Sequence, residues 1–129
     1  YILEENNVKD NKPELIIMAT GSEVEIAKAA YDDMLAENSD LSLRLVSMPC
    51  FEAFEEQDEE YKESVLPKAV SKRVSVEAAA SMSWYKYVGL EGSIIAIDRF
   101  GESAPIADLY NEFGFTKENV IKEAKNLLG

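Results

Sequence analysis

The hydrophobic positions change period several times along the chain, and each change marks an element. Leu15–Thr20 (LIIMAT) is a continuous apolar run too short for a typical helix. It predicts a strand of a parallel sheet, covered on both faces. Gly21-Ser22 breaks the run, and Ser22 with Glu25 three residues on has capping-box spacing, in which hydroxyl and carboxylate each satisfy a free backbone N–H. Beyond it Val24, Ala27, Tyr31 and Met34, widened by Ala30 and Leu35, recur every three or four positions. Glu23, Lys28, Asp32 and Asp33 fall mostly outside that stripe, so an amphipathic helix of about four turns is expected. Asn38-Ser39-Asp40 ends it, and a second apolar run, Leu41–Met48, is closed by Pro49.

The remaining chain continues the alternation. Phe51–Leu66 has the apolar spacing of one or two helices laid on the sheet, and Lys72–Glu77 reads as a third core strand with Val74 and Val76 on one face and Ser75 on the other. Ala78–Gly89 looks helical around Trp84, Tyr85 and Tyr87, and Gly92-Ser93 leads into a fourth core strand, Ile94–Ile97. Ser103 as N-cap and Pro105 in the first turn open a short helix through Ile106, Leu109, Tyr110 and Phe113, which Gly114 closes. Thr116 caps a last helix whose Val120, Ile121, Ala124, Leu127 and Leu128 face inward, with Gly129 at its end. At the start, residues 1–4 suit a short edge strand and Glu5–Pro13 an exposed loop. Strand alternating with helix predicts an α/β fold, a three-layer α/β/α domain with a mostly parallel mixed sheet of about five strands. Residues 1–14 form the lead-in segment with the edge strand, and 15–129 form the domain.

Composition narrows the function. A chain of 129 residues, 47% apolar and 29% charged, fits one domain with a real core. Thirteen basic residues against 25 acidic ones give a net charge of −12, which repels nucleic-acid phosphates and anionic lipids. The closest basic grouping, Lys68, Lys72 and Arg73, reads as flanking a strand, so neither nucleic acid nor membrane is an expected partner. Cys50 is the single cysteine; it cannot form an intrachain disulfide, and a lone thiol suits the cytoplasm. No stretch approaches the roughly 20 apolar residues of a membrane span, and the first residues carry no signal core. The chain starts at Tyr1 rather than Met, as a piece excised from a longer protein would. It contains no histidine, which excludes serine–histidine and cysteine–histidine nucleophiles, histidine bases and mixed Cys/His zinc sites from its own residues.

Ligands of such sheets gather beyond the carboxyl ends of the strands. Thr20-Gly21-Ser22, Pro49-Cys50, Glu77 and Asp98-Arg99 fall there, and Gly21, Ser22, Glu77, Arg99 and Ser103 are the candidates for a ligand or anion pocket. Each has a plainer explanation. ATGSE lacks both the three-glycine dinucleotide pattern and the GK[ST] ending of a P-loop, and a tight turn with a capping box explains it. Glu77 suits accepting backbone or hydroxyl hydrogen bonds more readily than acting as a base, and Asp98-Arg99 suits a local ion pair. Cys50 reads as a packing residue, and Trp84, Tyr85 and Tyr87 as core or interface. The seven acids of Phe51–Leu66 read as a solvated face rather than a docking surface for a basic partner, and no loop geometry gathers them around a metal. No catalytic, cofactor-binding or metal residue is assigned.

Several stretches in order carry a family resemblance: ATGSEVEIA from Ala19, SMP from Ser47, SVEAA from Ser75, WYKYVGLEG from Trp84, IDRFGESAP from Ile97 and FGFTKENVIKEAKNLL from Phe113. From about Leu15 to Gly129 the chain resembles the C-terminal domain of transketolases of bacterial type, and YILEENN resembles the strand by which that family enters the domain. Ala79 departs from it, standing where the family commonly has glycine. The resemblance implies a parent enzyme, a homodimer, that transfers a two-carbon ketol unit from a ketose phosphate to an aldose phosphate in the pentose phosphate pathway. It implies thiamine diphosphate and a divalent metal in the parent, bound between the preceding domains of partner subunits together with the active-site histidines. This domain then binds no cofactor and is noncatalytic, architectural or regulatory; its partners are the preceding domains and the second subunit. Two alternatives remain: a free-standing small-molecule or nucleotide-binding module using Gly21-Ser22 and Arg99, or the protein-docking domain of a pyruvate dehydrogenase β-type subunit. The pairing of FGESAP with FGFT favours transketolase.

Overall fold

The computed structural model describes residues 1–21, 23–48, 51–77, 87–89, 92–96 and 116–129. Five strands form one mixed sheet in the order β1-β3-β2-β4-β5: β1 (Ile2–Asn6), β2 (Leu15–Ala19), β3 (Leu43–Ser47), β4 (Arg73–Glu77) and β5 (Ser93–Ala96). Four run parallel, and β1 pairs antiparallel with β3 at one edge. The described helices are α1 (Glu23–Glu37), α2 (Phe51–Glu55), α3 (Glu59–Val65) and α4 (Lys117–Leu128).

The apolar run of β2 sorts its side chains by strand alternation. Leu15, Ile17 and Ala19 join the core against α1 and α4, while Ile16 and Met18 join the core against α2, α3 and residues 87–88. All five are fully buried, as a central strand covered on both faces requires. The three-layer α/β/α architecture follows from these two cores. Of the expected stripe helix α1 buries Ala27, Ala30, Tyr31 and Met34, with Val24 and Leu35 partly buried beside them, and α4 buries Val120 and Ala124 with Ile121, Leu127 and Leu128 packed beside them.

Helix ends follow the sequence signals where they are described. Thr116 accepts from the Asn119 N–H (3.2 Å), and the Gly129 N–H returns to the Lys125 carbonyl (3.0 Å). The acidic segment splits into two helices because Asp58 starts the second one as its N-cap, accepting from the Tyr61 N–H at 2.8 Å. The edge strand runs to Asn6, two residues beyond the expected 1–4, where Glu4 and Glu5 pair with Leu45 and Arg44 of β3 and their carboxylates meet Lys28 and Arg44. Asn6 and Asn7 then donate to the carbonyls of Ser39, Leu41 and Asp40, pinning the loop after β1 to the turn before β3. Strand β5 starts one residue earlier than the expected Ile94, at Ser93, and Ile97 lies outside the described residues. The Ser22 cap, most of the expected 78–89 helix, and the Ser103–Gly114 turn and helix lie outside the described residues.

Candidate functional site

The carboxyl edge of the parallel strands is where the sequence places its candidates. Strand β2 leaves the sheet through Thr20 into Gly21, whose φ of +62° is a left-handed conformation that glycine adopts without a side-chain clash. The Met48 N–H donates to the Ala19 carbonyl at 2.9 Å and holds the ends of β2 and β3 together. Ala19 pairs with Val76, so Glu77, paired with Ala96 of β5, ends β4 one residue beyond its ladder with β2, on the strand beside Gly21. Gly21 and Glu77 therefore share one edge. Ser22, Arg99 and Ser103 lie outside the described residues, as do Cys50 and Ala79.

Glu23, expected outside the apolar stripe of α1, is only 3% exposed, at the N-terminus of the helix beside the Gly21 turn. A Cβ added at Gly21 would lie 3.6 Å from the Glu23 carboxylate. The positive end of α1 favours a carboxylate in this position. The sequence signal was faint, an acid directly after a strand-ending glycine turn.

Two arginines missed as structural centres lie on the α2–α3 side. Arg44, 1% exposed in the middle of β3, donates from Nε to Glu5 (2.9 Å), from one terminal nitrogen to the Ser64 and Val65 carbonyls (3.0 Å each), and from the other to Asn11 Oδ1 (2.5 Å). It neutralises Glu5 and caps the carbonyl end of α3. Arg73, first residue of β4, donates to the carbonyls of Val70 (2.8 Å), Pro67 (2.7 Å) and Tyr87, and burial lowers its pKa despite the opposing pull of Glu63. It flanks its strand as expected of the Lys68, Lys72 and Arg73 grouping.

Between α2, α3 and the start of β4 is a cavity of about 360 Å³, reached by Arg73, Lys68 and Lys62 and bounded by Phe54, Leu66 and Tyr87. Tyr87 and Phe54 meet edge to face at 5.8 Å, and the Tyr87 hydroxyl donates to Glu55 at 2.6 Å. Burial first, then the Glu55 carboxylate, push the Tyr87 pKa well above its ordinary range. Among the described residues no group of three His, Cys, Asp or Glu is placed to hold a metal ion, and no helix is long and apolar enough to cross a membrane.

Fold and edge geometry together define a three-layer α/β domain with a mixed five-stranded sheet. Residues 1–116 match the family described as the transketolase-like TK C-terminal domain, and the chain belongs to that family. It is 57% identical over 117 residues to Transketolase 1 of Escherichia coli strain K12 and 56% identical over 117 residues to Transketolase 1 of Vibrio cholerae serotype O1. Those alignments cover 91% of this chain but 17% of either relative. The solved transketolase from Leishmania mexicana superposes with a TM-score of 0.81 at 39% identity, covering 99% of this chain and 18% of that one. The chain thus spans less than a fifth of the length of these relatives.

Proposed function

We propose that this chain is the C-terminal domain of a transketolase whose whole protein transfers a two-carbon ketol unit from a ketose phosphate to an aldose phosphate. The reading rests on one observation, the match of residues 1–116 to the family together with 57% identity to a bacterial transketolase. The parent works as a cytoplasmic homodimer in the pentose phosphate pathway, and thiamine diphosphate with a divalent metal supplies its carbanion chemistry. That cofactor is held by the preceding domains. This domain's part is architectural or regulatory: its two-faced apolar sheet forms a rigid body that packs against the rest of its own chain and the second subunit. The lack of any histidine supports assigning it no catalytic residue. Gly21, Ser22, Glu77, Arg99 and Ser103 stand as its candidates for a ligand or anion pocket, of which Gly21 and Glu77 are among the described residues.

Two measurements test this in separate parts. Calorimetric titration of the 129-residue chain with thiamine diphosphate and Mg²⁺ is expected to give no binding heat, and saturable binding would overturn the noncatalytic assignment. The full-length protein carrying this segment is expected to transfer ketol units between sugar phosphates when loaded with the same cofactors. Its failure to do so, while it binds the cofactor, would overturn the parentage.

A further inference from the structure

The geometry points to a binding site at the opposite end of the sheet: the cavity between α2, α3 and the start of β4 takes a small organic monoanion, a carboxylate carried on an apolar body. Its volume of about 360 Å³ lies within the range of small-molecule pockets. Its apolar wall is Phe54, Leu66 and Tyr87, all buried, with the two rings fixed edge to face. A flat hydrophobic group of a few carbons fits against that wall.

The charges around the cavity are unequal in what they have left to offer. Each acid already has a partner: Glu55 has the Tyr87 hydroxyl at 2.6 Å and Lys62 at 3.6 Å, Glu59 has Lys62 at 3.4 Å, and Glu63 accepts the Lys68 main-chain N–H at 2.9 Å. Lys62 is paired with Glu55 and Glu59, whereas Arg73 and Lys68 have no ion pair among the described residues. Arg73 gives its three hydrogen bonds to main-chain carbonyls, and among the described residues no carboxylate reaches it within ion-pair distance. A guanidinium has five N–H donors, so two have no acceptor among the described residues. The Lys68 ammonium, on the exposed loop before β4, has no partner among the described residues. An anion entering here meets two unused donors of Arg73 and the Lys68 charge, an arrangement suited to a carboxylate. The three rim carboxylates disfavour a doubly charged phosphate, and the apolar wall favours an organic anion over an inorganic one. This inference is independent of the proposed parentage, since it uses only side chains on the α2–α3 face.

The test is a titration of the ¹⁵N-labelled protein with 3-phenylpropionate, followed by amide chemical shifts. Saturable shifts centred on residues 54, 66, 68, 73 and 87 are expected, with affinity about fivefold weaker in Lys68→Ala, the loss of one charge-assisted contact. The neutral amide, 3-phenylpropionamide, should bind at least about tenfold more weakly, and inorganic phosphate should not displace the acid. Absence of saturable shifts, equal binding of acid and amide, unchanged affinity in Lys68→Ala, or displacement by phosphate would each overturn the site. Lys68 is the residue to substitute because it is exposed, whereas Arg73 also holds the turn before β4.

Discussion

Arg44 shows how one residue can tie three elements together. Its guanidinium serves four acceptors at once, on β1, on the loop after it and on the last turn of α3. Arg44→Met would fill the space with an apolar chain, but leave the Ser64 and Val65 carbonyls without their donor and Glu5 without its cation. Each buried polar group left unpaired costs roughly 1–3 kcal/mol, so a loss of about 3 kcal/mol in urea unfolding is expected. Arg44→Lys should recover only part of it, because a single ammonium cannot reach four acceptors in a plane. If Arg44→Met were as stable as the parent, the clamp would be energetically idle. The sequence hid this residue inside an apolar run. Its role depends on Glu5 lying opposite it across the antiparallel β1–β3 ladder, a pairing that hydrophobic periodicity does not encode. Glu23 escaped notice for a related reason: the stripe of α1 locates one face of the helix, and Glu23 is buried off that face, beside the strand-ending Gly21 turn.

At the scale of elements, the punctuation was more legible than the tertiary pairing. Helix α4 could be read almost entirely from Thr116, its 3.6-residue stripe and Gly129, and α1 from its stripe alone, because these signals act within one turn of chain. The antiparallel setting of β1 and the split between α2 and α3 depended on partners far away or on a single cap. Gly92 is the junction where local sequence and tertiary packing meet. A Cβ there would stand 2.6 Å from the Arg73 carbonyl and 2.7 Å from the Val88 carbonyl, and would run into the Val88 side chain. Two of those obstacles are backbone, one at the start of β4 and one at Val88, so they cannot swing aside. Gly92→Ala should therefore cost about 2–3 kcal/mol, the cost of an overpacked site, read as a lowered melting temperature with the α1–α4 face unchanged by amide shifts. A neutral result would mean that the β4–β5 approach is looser than it stands here. Of the five candidate ligand residues, Gly21 and Glu77 share one strand edge, and the sequence missed the burial of Glu23 beside Gly21.

At the scale of the whole molecule, three groups with raised pKa values pull in one direction at alkaline pH. Burial raises the pKa of Tyr31 and Tyr87 above the ordinary 10.0, and hydrogen bonds to Asp32 and Glu4 raise that of exposed Lys28 above 10.5. A group whose folded pKa lies above its unfolded one contributes stability below the unfolded value and loses it as pH rises through the folded one. All three therefore predict a protein that holds its stability up to about pH 10 and loses it above, the range where unfolded tyrosine and lysine begin to give up protons. The net charge of −12 works in the same direction, since each proton lost adds to an existing acidic excess. Salt separates the two causes. Self-repulsion between exposed charges is screened within about 10 Å at 0.1 M salt, whereas the cost of ionising a buried phenol beside Glu55 is not. Melting temperatures from pH 8 to 11 should fall steeply above pH 10 at both low and high salt, with the fall shallower in Tyr87→Phe, which has no phenol to ionise. Tyr87→Phe should also lose about 1 kcal/mol at neutral pH with its hydrogen bond to Glu55. If high salt abolished the alkaline fall, or Tyr87→Phe left its steepness unchanged, net charge rather than the buried Tyr87–Glu55 pair would set the alkaline limit of this fold.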